Sequence, residues 1–563
     1  MAARKKAKKQ SILDRLDLVK VIILLAPIMG GFLSPFSNLL LGLICTCGIV
    51  HKIKQNKKIN MPVGINVILI SLYVLSFIPV TFFAVDKGMT IIGFFKNFVI
   101  ILFMLLYEQY SYTHEEKQQN LKMIPISGSI SVIISLIFVL FGVEEIFSNN
   151  RLQGLFEYAN SYGMFLMLGV VVLLSNEKYS RYDFISLSIL LIGIMLTNSR
   201  AIIILTLVSM IVAIVFNKQN RKHISIVFTV FIAFGVGISL TGVMEKRIDE
   251  EMLQSSEMLT RTLYYTDALK MIKENPFGYG YMGWYYKQAE IQTAMYYTKF
   301  VHNSFLQVIL DVGIIPAICL LVVLCNTFFN KRQSWLNRFM LILLLGHSII
   351  DIDLEYMIFV LMIIMMLPAK NVEIKNYKYI KISLYAGMII FSWLTLGTLL
   401  YETQNYEVAH MIIPFYTDAM QEDLYSTTDS EKQLHVANKI YKLNKNASGV
   451  YEAFSNECVK NGEYKKALEY QKQRLNLNKY TQENYFMYLE FLNNGIEYYS
   501  QIGDKENLLI FMNEVCKIEN IIEKTLDNTN ELSYKTIHPP EIEVNQEMMN
   551  YIEQVKSFME NIA

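Results

Sequence analysis

The feature that most constrains this chain is a series of long apolar runs along its first 400 residues. A helix needs roughly 20 mostly apolar residues to cross the hydrocarbon core of a bilayer, and lipid leaves unpaired backbone groups unsatisfied. Runs that qualify, some of them short, lie near 18–33, 36–50, 63–84, 89–107, 123–142, 160–175, 183–197, 201–216, 223–242, 303–328, 337–350, 352–368 and 379–401. The sequence therefore predicts an all-α fold, a polytopic transmembrane helical bundle of about 12–13 spans.

Composition agrees with a membrane protein and excludes other classes. The chain is 53% hydrophobic, more than a soluble globule can hide, and its formal net charge is only +1. Nothing in this balance indicates nucleic acid as a partner. Six Cys residues in 563 are too few for a disulfide scaffold, and no CxxC or Cys/His cluster indicates zinc, so we expect no cofactor and no metal.

Basic residues predict the orientation of the spans, because Lys and Arg concentrate in cytoplasmic loops. With a cytoplasmic N-terminus, the inner segments hold 25 basic residues, and the short outer loops hold only Lys87, Arg151 and Arg200. Those inner segments are 1–20, 51–60, 108–122, 176–182, 217–222, 329–338 and 369–381. We expect a multi-pass protein of a bacterial cytoplasmic membrane, with membrane lipid as a partner and with the loop 243–302 outside.

Polar residues become frequent after Tyr401 and no further span follows, which predicts a boundary between a membrane domain, 1–401, and an extracytoplasmic domain, 402–563. Similarity recurs at an offset of 34 residues: Leu443-Asn444-Lys445 returns as Leu477-Asn478-Lys479, and Tyr451 as Tyr485. The intervening Asn461–Leu468 segment resembles a tetratricopeptide unit. A helical-hairpin array of this kind either binds a protein partner or braces a neighbouring domain.

Three arginines stand on the side that the positive-inside rule depletes. Arg151, Arg200 and Arg261 each fall near the end of a predicted span or in the outer loop. Each alone is explained equally well as an interfacial anchor. Three together suggest an anion site at the outer membrane surface, because a guanidinium keeps its charge and suits phosphate.

Three outer segments carry polar motifs in a fixed order. The first runs from Asn149 to Gly163 and holds Arg151, Gly154 and Asn160; the second is Thr197-Asn198-Ser199-Arg200-Ala201. The third contains Arg261 and Asn275-Pro276-Phe277-Gly278-Tyr279-Gly280 and ends in His302-Asn303-Ser304-Phe305-Leu306. Over residues 150–330 this order resembles the O-antigen ligase and polymerase superfamily of bacterial surface-glycan enzymes. Ala201 departs from the pattern, in which glycine often follows the arginine.

That resemblance implies an undecaprenyl-diphosphate-linked glycan as donor and a glycan or other hydroxyl acceptor outside the membrane. Negative charge grows on the diphosphate as the sugar–phosphate bond breaks, and positioned guanidinium groups stabilise it. We assign this role to Arg200 and Arg261, with Arg151 assisting and Asn160 in substrate binding. His302 would accept the proton of the acceptor hydroxyl, so that one displacement inverts the anomeric centre.

Other residues admit two interpretations. Asn303 either orients the imidazole or the sugar, or caps the following helix. Tyr281 and Trp284 either stack on sugar rings or form part of an interfacial aromatic belt. Asp311 is expected to pair within the bundle. His347, Asp351 and Asp353 could form a proton relay or cation site, but their spacing disfavours a metal.

Three function classes remain to be weighed. Glycan transfer accounts for the outer arginines and His302. The richness in Lys, Ile and Asn is typical of a low-GC organism without a lipopolysaccharide core to act as acceptor, which favours polymerisation over ligation. A transporter or flippase of lipid-linked glycans would require repeated halves and charges at mid-membrane depth, which the sequence lacks. A non-enzymatic scaffold acting through its repeat tail leaves His302 without a purpose.

Overall fold

The computed structural model describes residues 17–110, 112–240, 257–536 and 538–562. Most of the basic start 1–20 and residues 243–256 of the predicted outer loop lie outside the described residues. The described chain divides into two compact units. The first comprises Met1–Val74, Phe95–Met244 and Cys319–Leu396, and the second comprises Leu75–Phe94, Glu245–Ile318 and Gly397–Ala563.

Helices make up nearly all of the regular structure, which confirms the all-α prediction. In the first part of the chain they are α1 (Leu18–Leu25), α2 (Pro35–Asn56), α3 (Ile65–Thr81), α4 (Lys87–Gln109), α5 (His114–Leu121), α6 (Met123–Leu140), α7 (Ala159–Leu174), α8 (Arg181–Thr197), α9 (Arg200–Phe216) and α10 (Arg221–Leu240). From residue 257 they are α11 (Glu257–Glu274), α12 (Gly283–Ile291), α13 (Ser304–Val312), α14 (Ile314–Phe329), α15 (Trp335–Ser348), α16 (Met357–Met366) and α17 (Lys378–Glu402).

The helices after residue 402 are shorter and amphipathic. They are α18 (Tyr406–Ile412), α19 (Thr417–Ser426), α20 (Ser430–Leu443), α21 (Ser448–Lys460), α22 (Tyr464–Asn476), α23 (Gln482–Ile502), α24 (Lys505–Cys516), α25 (Ile518–Asp527) and α26 (Gln546–Ile562). Strands occur as two antiparallel pairs: β1 (Ile59–Val63) with β4 (Lys370–Ile374), and β2 (Phe147–Ser148) with β3 (Arg151–Leu152).

Four helices of the described chain are long and apolar enough to cross a membrane. They are Pro35–Asn56 (α2), Lys87–Gln109 (α4), Glu116–Leu140, which combines most of α5 with α6, and Lys378–Glu402 (α17). Shorter apolar helices of 10–17 residues, among them α3, α7, α9, α14 and α16, stand at other predicted spans. The protein is therefore a helical membrane protein.

Some runs that hydropathy predicts as single spans are interrupted. The run 303–328 is not one helix, because Gly313 (φ +89°) separates α13 from α14. The run 352–368 contains only the ten residues of α16, since Asp353–Glu355 form a separate 3₁₀ turn before it. Polar side chains and a glycine thus set helix ends that the apolar pattern does not show.

The first unit is organised around α7, whose residues are all buried. A helix that is apolar on every side lies in the interior of a bundle, and α6, α8 and α9 pack against it. This places Asn160 and Ser161, at the polar start of α7, inside the unit. The burial of these two side chains requires polar partners.

The second unit contains the tail, in which consecutive helices form hairpins. The α21–α22 turn holds Gly462 (φ +75°), and Gly503 (φ +72°) lies between α23 and α24. Tyr451 donates to the carbonyl of Lys445 at 2.7 Å, and Tyr485 donates to the carbonyl of Lys479 at 2.8 Å. The internal similarity in sequence therefore recurs as the same hydrogen bond.

Candidate functional site

In the first unit, Arg151 is held by a tight hairpin. Asn149 and Asn150 both have positive φ (52° and 58°), as a two-residue type I′ turn requires, and Ser148 pairs with Arg151 across it. Arg151 Nε donates to the carbonyl of Thr197, the last residue of α8, at 3.0 Å. The hairpin is thereby tied to the segment that leads into Arg200.

Asn160 joins Arg151 to a buried carboxylate. Arg151 Nη2 donates to Asn160 Oδ1, and Asn160 Nδ2 donates to Asp351 Oδ2 at 2.8 Å. The amide thus links a half-buried cation to an anion that is fully buried. A chain of this kind compensates both charges and fixes the guanidinium, since buried charges are costly unless paired.

A second buried network lies at the next residue of α7. Ser161 Oγ donates to Asp353 Oδ1 at 3.0 Å, and His347 Nδ1 lies 2.6 Å from Asp353 Oδ2. Asp351 and Asp353, the two carboxylates of the predicted relay, therefore each accept a hydrogen bond from a side chain at the start of α7. Among the described residues no three His, Cys, Asp or Glu side chains are grouped to hold a metal ion.

Arg200 is exposed at the first position of α9. The chain reaches it through Asn198, which has φ +50° and ends α8, and through Ser199 at the N-cap. A cation at a helix N-terminus costs about 0.3–1 kcal/mol, because the helix dipole is positive there. The same placement adds the dipole to the guanidinium charge, which favours an anionic ligand.

In the second unit, His302 is held at both its backbone and its ring. Its φ is +53°, a left-handed conformation that costs energy for a residue other than glycine. Tyr265 donates from its hydroxyl to the His302 carbonyl at 2.8 Å, and the imidazole stacks on Tyr264 with centroids 6.0 Å apart. Asn303 caps α13, its Oδ1 accepting from Phe305 and Leu306 at 3.0 Å each.

Arg261 lies on the same helix as the two tyrosines that contact His302. It precedes Tyr264 and Tyr265 by three and four residues in α11, so the three share one face of that helix. Arg261 is only 8% exposed. The structure therefore brings Arg261 and His302 to one region of the second unit, which their separation in sequence does not show.

The loop Asn275–Gly280, called the glycine loop below, fixes α13, the helix that follows His302. Tyr279 and Gly280 donate their backbone N–H groups to the carbonyls of Leu310 and Asp311 at 2.6 and 3.0 Å. Gln307 donates to Asp311 at 2.9 Å and accepts from the backbone N–H of Val301 at 3.1 Å. Asp311 thus pairs within its own helix, and Gln307 connects it to the residue before His302.

Aromatic rings form a packed layer behind His302. Tyr264 meets Tyr296 edge-on at 4.6 Å, and Tyr296 stacks on Trp284 at 6.1 Å. Trp284 is fully buried and Tyr281 is 3% exposed. Both rings support the interior of the unit in this conformation, and their stacking on a sugar stays a prediction.

The predicted residues fall in both units. Arg151, Asn160 and Arg200 belong to the first, and Arg261, Tyr281, Trp284, His302 and Asn303 belong to the second. They comprise cations and a held imidazole in an all-α membrane protein, and the roles that the sequence assigns to them in transfer stay predictions.

Comparison with known families agrees with the resemblance that the sequence motifs show. Residues 185–321 match the sequence model of the O-antigen ligase family. The match includes Arg200, Arg261 and His302 and leaves Arg151 and Asn160 outside. It supports the superfamily resemblance and glycan transfer of the O-antigen ligase type in a membrane. Comparisons with curated proteins and with solved structures give no match.

Proposed function

We propose that this protein transfers a glycan from an undecaprenyl-diphosphate carrier to an acceptor hydroxyl at the outer face of a bacterial cytoplasmic membrane. The reaction belongs to cell-surface polysaccharide synthesis. The observation that carries this proposal is the O-antigen ligase match over 185–321, which includes Arg200, Arg261 and His302. The half-exposed His302 and the exposed Arg200 support it.

The arginines act on the leaving group. As the bond between the anomeric carbon and the phosphate oxygen breaks, the electron pair leaves with the diphosphate. Arg200 and Arg261 stabilise this charge, and removal of one such donor costs roughly 10²–10³ in rate. Arg151, whose Nε holds the Thr197 carbonyl, positions the segment that carries Arg200.

His302 acts on the acceptor. Its imidazole takes the hydroxyl proton while the hydroxyl oxygen bonds to the anomeric carbon, which inverts the configuration without a metal ion. Such general-base catalysis contributes about 10²–10⁴ in rate when the group is positioned. Tyr264 and Tyr265 provide that positioning through the ring and the carbonyl.

We favour a polymerase, in which the acceptor is another lipid-linked repeat unit, over a ligase. The tail, 402–563, would act as a tetratricopeptide-like domain that binds a protein partner or braces the membrane domain. The hydrogen bonds of Tyr451 and Tyr485, which repeat 34 residues apart, support the tetratricopeptide-like character of the tail.

Reconstitution in vesicles tests the proposal. We expect the protein, supplied with a lipid-linked oligosaccharide, to form longer glycans and release the diphosphate lipid, in the presence of chelator and with inverted anomeric configuration. Arg200→Ala and His302→Ala should each reduce the rate at least 100-fold. Arg332→Ala and His435→Ala remove an exposed residue of the same type outside 185–321 and should retain activity.

Transfer at the wild-type rate in both Arg200→Ala and His302→Ala would contradict the roles assigned to these residues. Movement of the donor across the bilayer without cleavage would contradict transfer itself and favour a transporter.

A further inference from the structure

The first unit contains a hollow that the proposed reaction does not use. It has a volume of about 780 Å³ and lies where the C-terminal ends of α7 and α9 meet the start of α15. Its apolar lining comes from Leu174, Val212, Ala213, Phe216, Trp335 and Phe339. Polar residues of the loops, among them Glu177 and Lys218, complete the rim.

Side-chain amides hold this rim in place. Asn217 Nδ2 donates to the carbonyls of Leu174 and Asn176 at 3.0 Å each. Asn220 Nδ2 donates to the carbonyls of Asn176 and Glu177 at 2.8 and 2.9 Å. Because two loops are joined by four hydrogen bonds, the hollow is a preformed feature rather than a gap between mobile segments.

Cations line a second hollow that shares Lys218 and Gln219 with the first. It has a volume of about 740 Å³ and is also lined by Arg221 and Lys222. Arg221 donates to the carbonyls of Ile214 and Val215 at 2.8 and 3.1 Å, which fixes its guanidinium at the end of α9. Lys218 and Lys222 are exposed beside it, so the linings of the two hollows together hold three cations and one acidic residue, Glu177.

The apolar surface around these cations is open. Phe216 is 72% exposed and Trp335 is 54% exposed. Tryptophan at such a position is typical of the interface between hydrocarbon and headgroups, and basic pockets between helices suit anionic headgroups. The first hollow therefore offers room for an acyl chain beside the held guanidinium of Arg221 and the exposed ammonium groups of Lys218 and Lys222.

We propose that the two adjoining hollows bind one anionic phospholipid, with an acyl chain in the first along Phe216, Trp335 and Phe339 and the phosphate at Lys218 and Lys222 of the second. Charge complementarity selects this occupant over a zwitterionic lipid, because only the former satisfies the excess of cations. On the predicted orientation the site belongs to the cytoplasmic leaflet. The proposal does not depend on the transfer reaction.

Tryptophan fluorescence tests it directly, since the chain has only three tryptophans, at 284, 335 and 393. Trp393→Phe leaves Trp335 and the fully buried Trp284. The full-length variant is placed in bilayers with phosphatidylglycerol or phosphatidylcholine brominated on the acyl chain. We expect stronger quenching by phosphatidylglycerol at equal mole fraction, persisting in the presence of free glycerophosphate.

Lys218→Gln with Lys222→Gln in this background should lower the preference for phosphatidylglycerol about 25-fold, since each lysine near a lipid surface contributes about fivefold. Lys222→Gln alone should give an intermediate loss, which separates binding from misfolding. The matched control, Lys375→Gln with Lys378→Gln, removes two other exposed lysines and should keep the preference. Equal quenching by both lipids, displacement by glycerophosphate, or equal loss in the control would overturn the proposal.

Discussion

Left-handed backbone positions occur beside the residues that we assign to chemistry. His302 itself has φ +53°, and Asn198, two residues before Arg200, has φ +50°. Asparagine tolerates this conformation at a helix end, whereas for histidine it costs about 1–2 kcal/mol, which the surroundings must compensate. At His302 the compensation is visible in the hydrogen bond from Tyr265. Strain that is kept at His302 is consistent with a positioning role.

Asp86 is a buried carboxyl group that the sequence does not single out. Its Oδ1 accepts from the N–H of Met89 at 2.8 Å and from Thr417 at 2.9 Å, and its Oδ2 accepts from Asn444 at 2.9 Å. Burial nevertheless raises the pKa of Asp86 to about 7, because desolvation of the charged form outweighs these bonds. Asp86 therefore links the start of α4 to the tail at an energetic cost that depends on pH.

That raised pKa makes stability fall with increasing pH. Below about pH 4 the carboxyl is protonated in both states, and between about pH 4 and 7 only the folded state keeps the proton, so stability declines by a few kcal/mol. We expect the melting temperature in detergent to fall from pH 5 to pH 8 and Asp86→Asn to flatten that decline. Exposed Glu506→Gln is the control, and an equally steep decline in Asp86→Asn would contradict the prediction.

At this scale the sequence shows which residues are unusual but not which ones meet. The spacing of Asn303 before an apolar run allows a cap, and the structure has that cap. By contrast, Asn160 and Asp351 are 191 residues apart in sequence and meet through tertiary packing alone. The contact of Arg151 with Thr197 is non-local in the same way, so no local pattern could reveal it.

At the scale of elements, hydropathy predicts where apolar helices lie but not where each one ends. α7 follows from its apolar sequence, because a helix without a polar face belongs in the interior. The break at Gly313 follows instead from a contact between elements. There the N–H of Ile314 donates to the carbonyl of Pro276 at 3.0 Å, so the glycine loop ends α13 from outside.

This contact requires glycine at two positions, Gly278 and Gly313, where a Cβ would lie within 3 Å of backbone atoms. Gly278 has φ +92°, and a Cβ there would lie 2.7 Å from the backbone nitrogen of Gly313 and 2.8 Å from the carbonyl oxygen of Asp311. Gly278→Ala should therefore destabilise the protein by about 2–4 kcal/mol, the sum of the backbone strain and the steric conflict. It should also reduce glycan transfer, since α13 begins directly after His302 and Asn303.

Gly503→Ala is the matched control for that change. Gly503 also has positive φ (+72°), but a Cβ there would meet nothing within 4 Å. We expect it to cost only about 1 kcal/mol, the backbone component, and to leave transfer intact. Thermal unfolding of both variants separates the two components. Equal destabilisation would show that the approach of the loop to α13 is not tight.

For the whole molecule, the membrane character follows from composition, whereas the division into two compact units does not. The second unit collects residues from Leu75–Phe94, Glu245–Ile318 and Gly397–Ala563, segments that are far apart in the chain. Such assembly depends on long-range contacts, for example that of Asp86 with Asn444. Sidedness, in contrast, is a property that only the distribution of charge predicts, and the whole proposal requires His302 to face outward.

Labelling of single cysteines tests that orientation. In a variant whose six native cysteines are replaced, Gln501→Cys places a thiol on the exposed surface of the tail and Gln55→Cys places one near the end of α2. Because basic residues concentrate around 51–60, we expect a membrane-impermeant maleimide to label Gln501→Cys in intact cells and Gln55→Cys only after permeabilisation. Both should react equally in detergent, which controls for accessibility. The opposite pattern would place His302 on the cytosolic side. It would contradict the proposed reaction, which takes place at the outer face of the membrane.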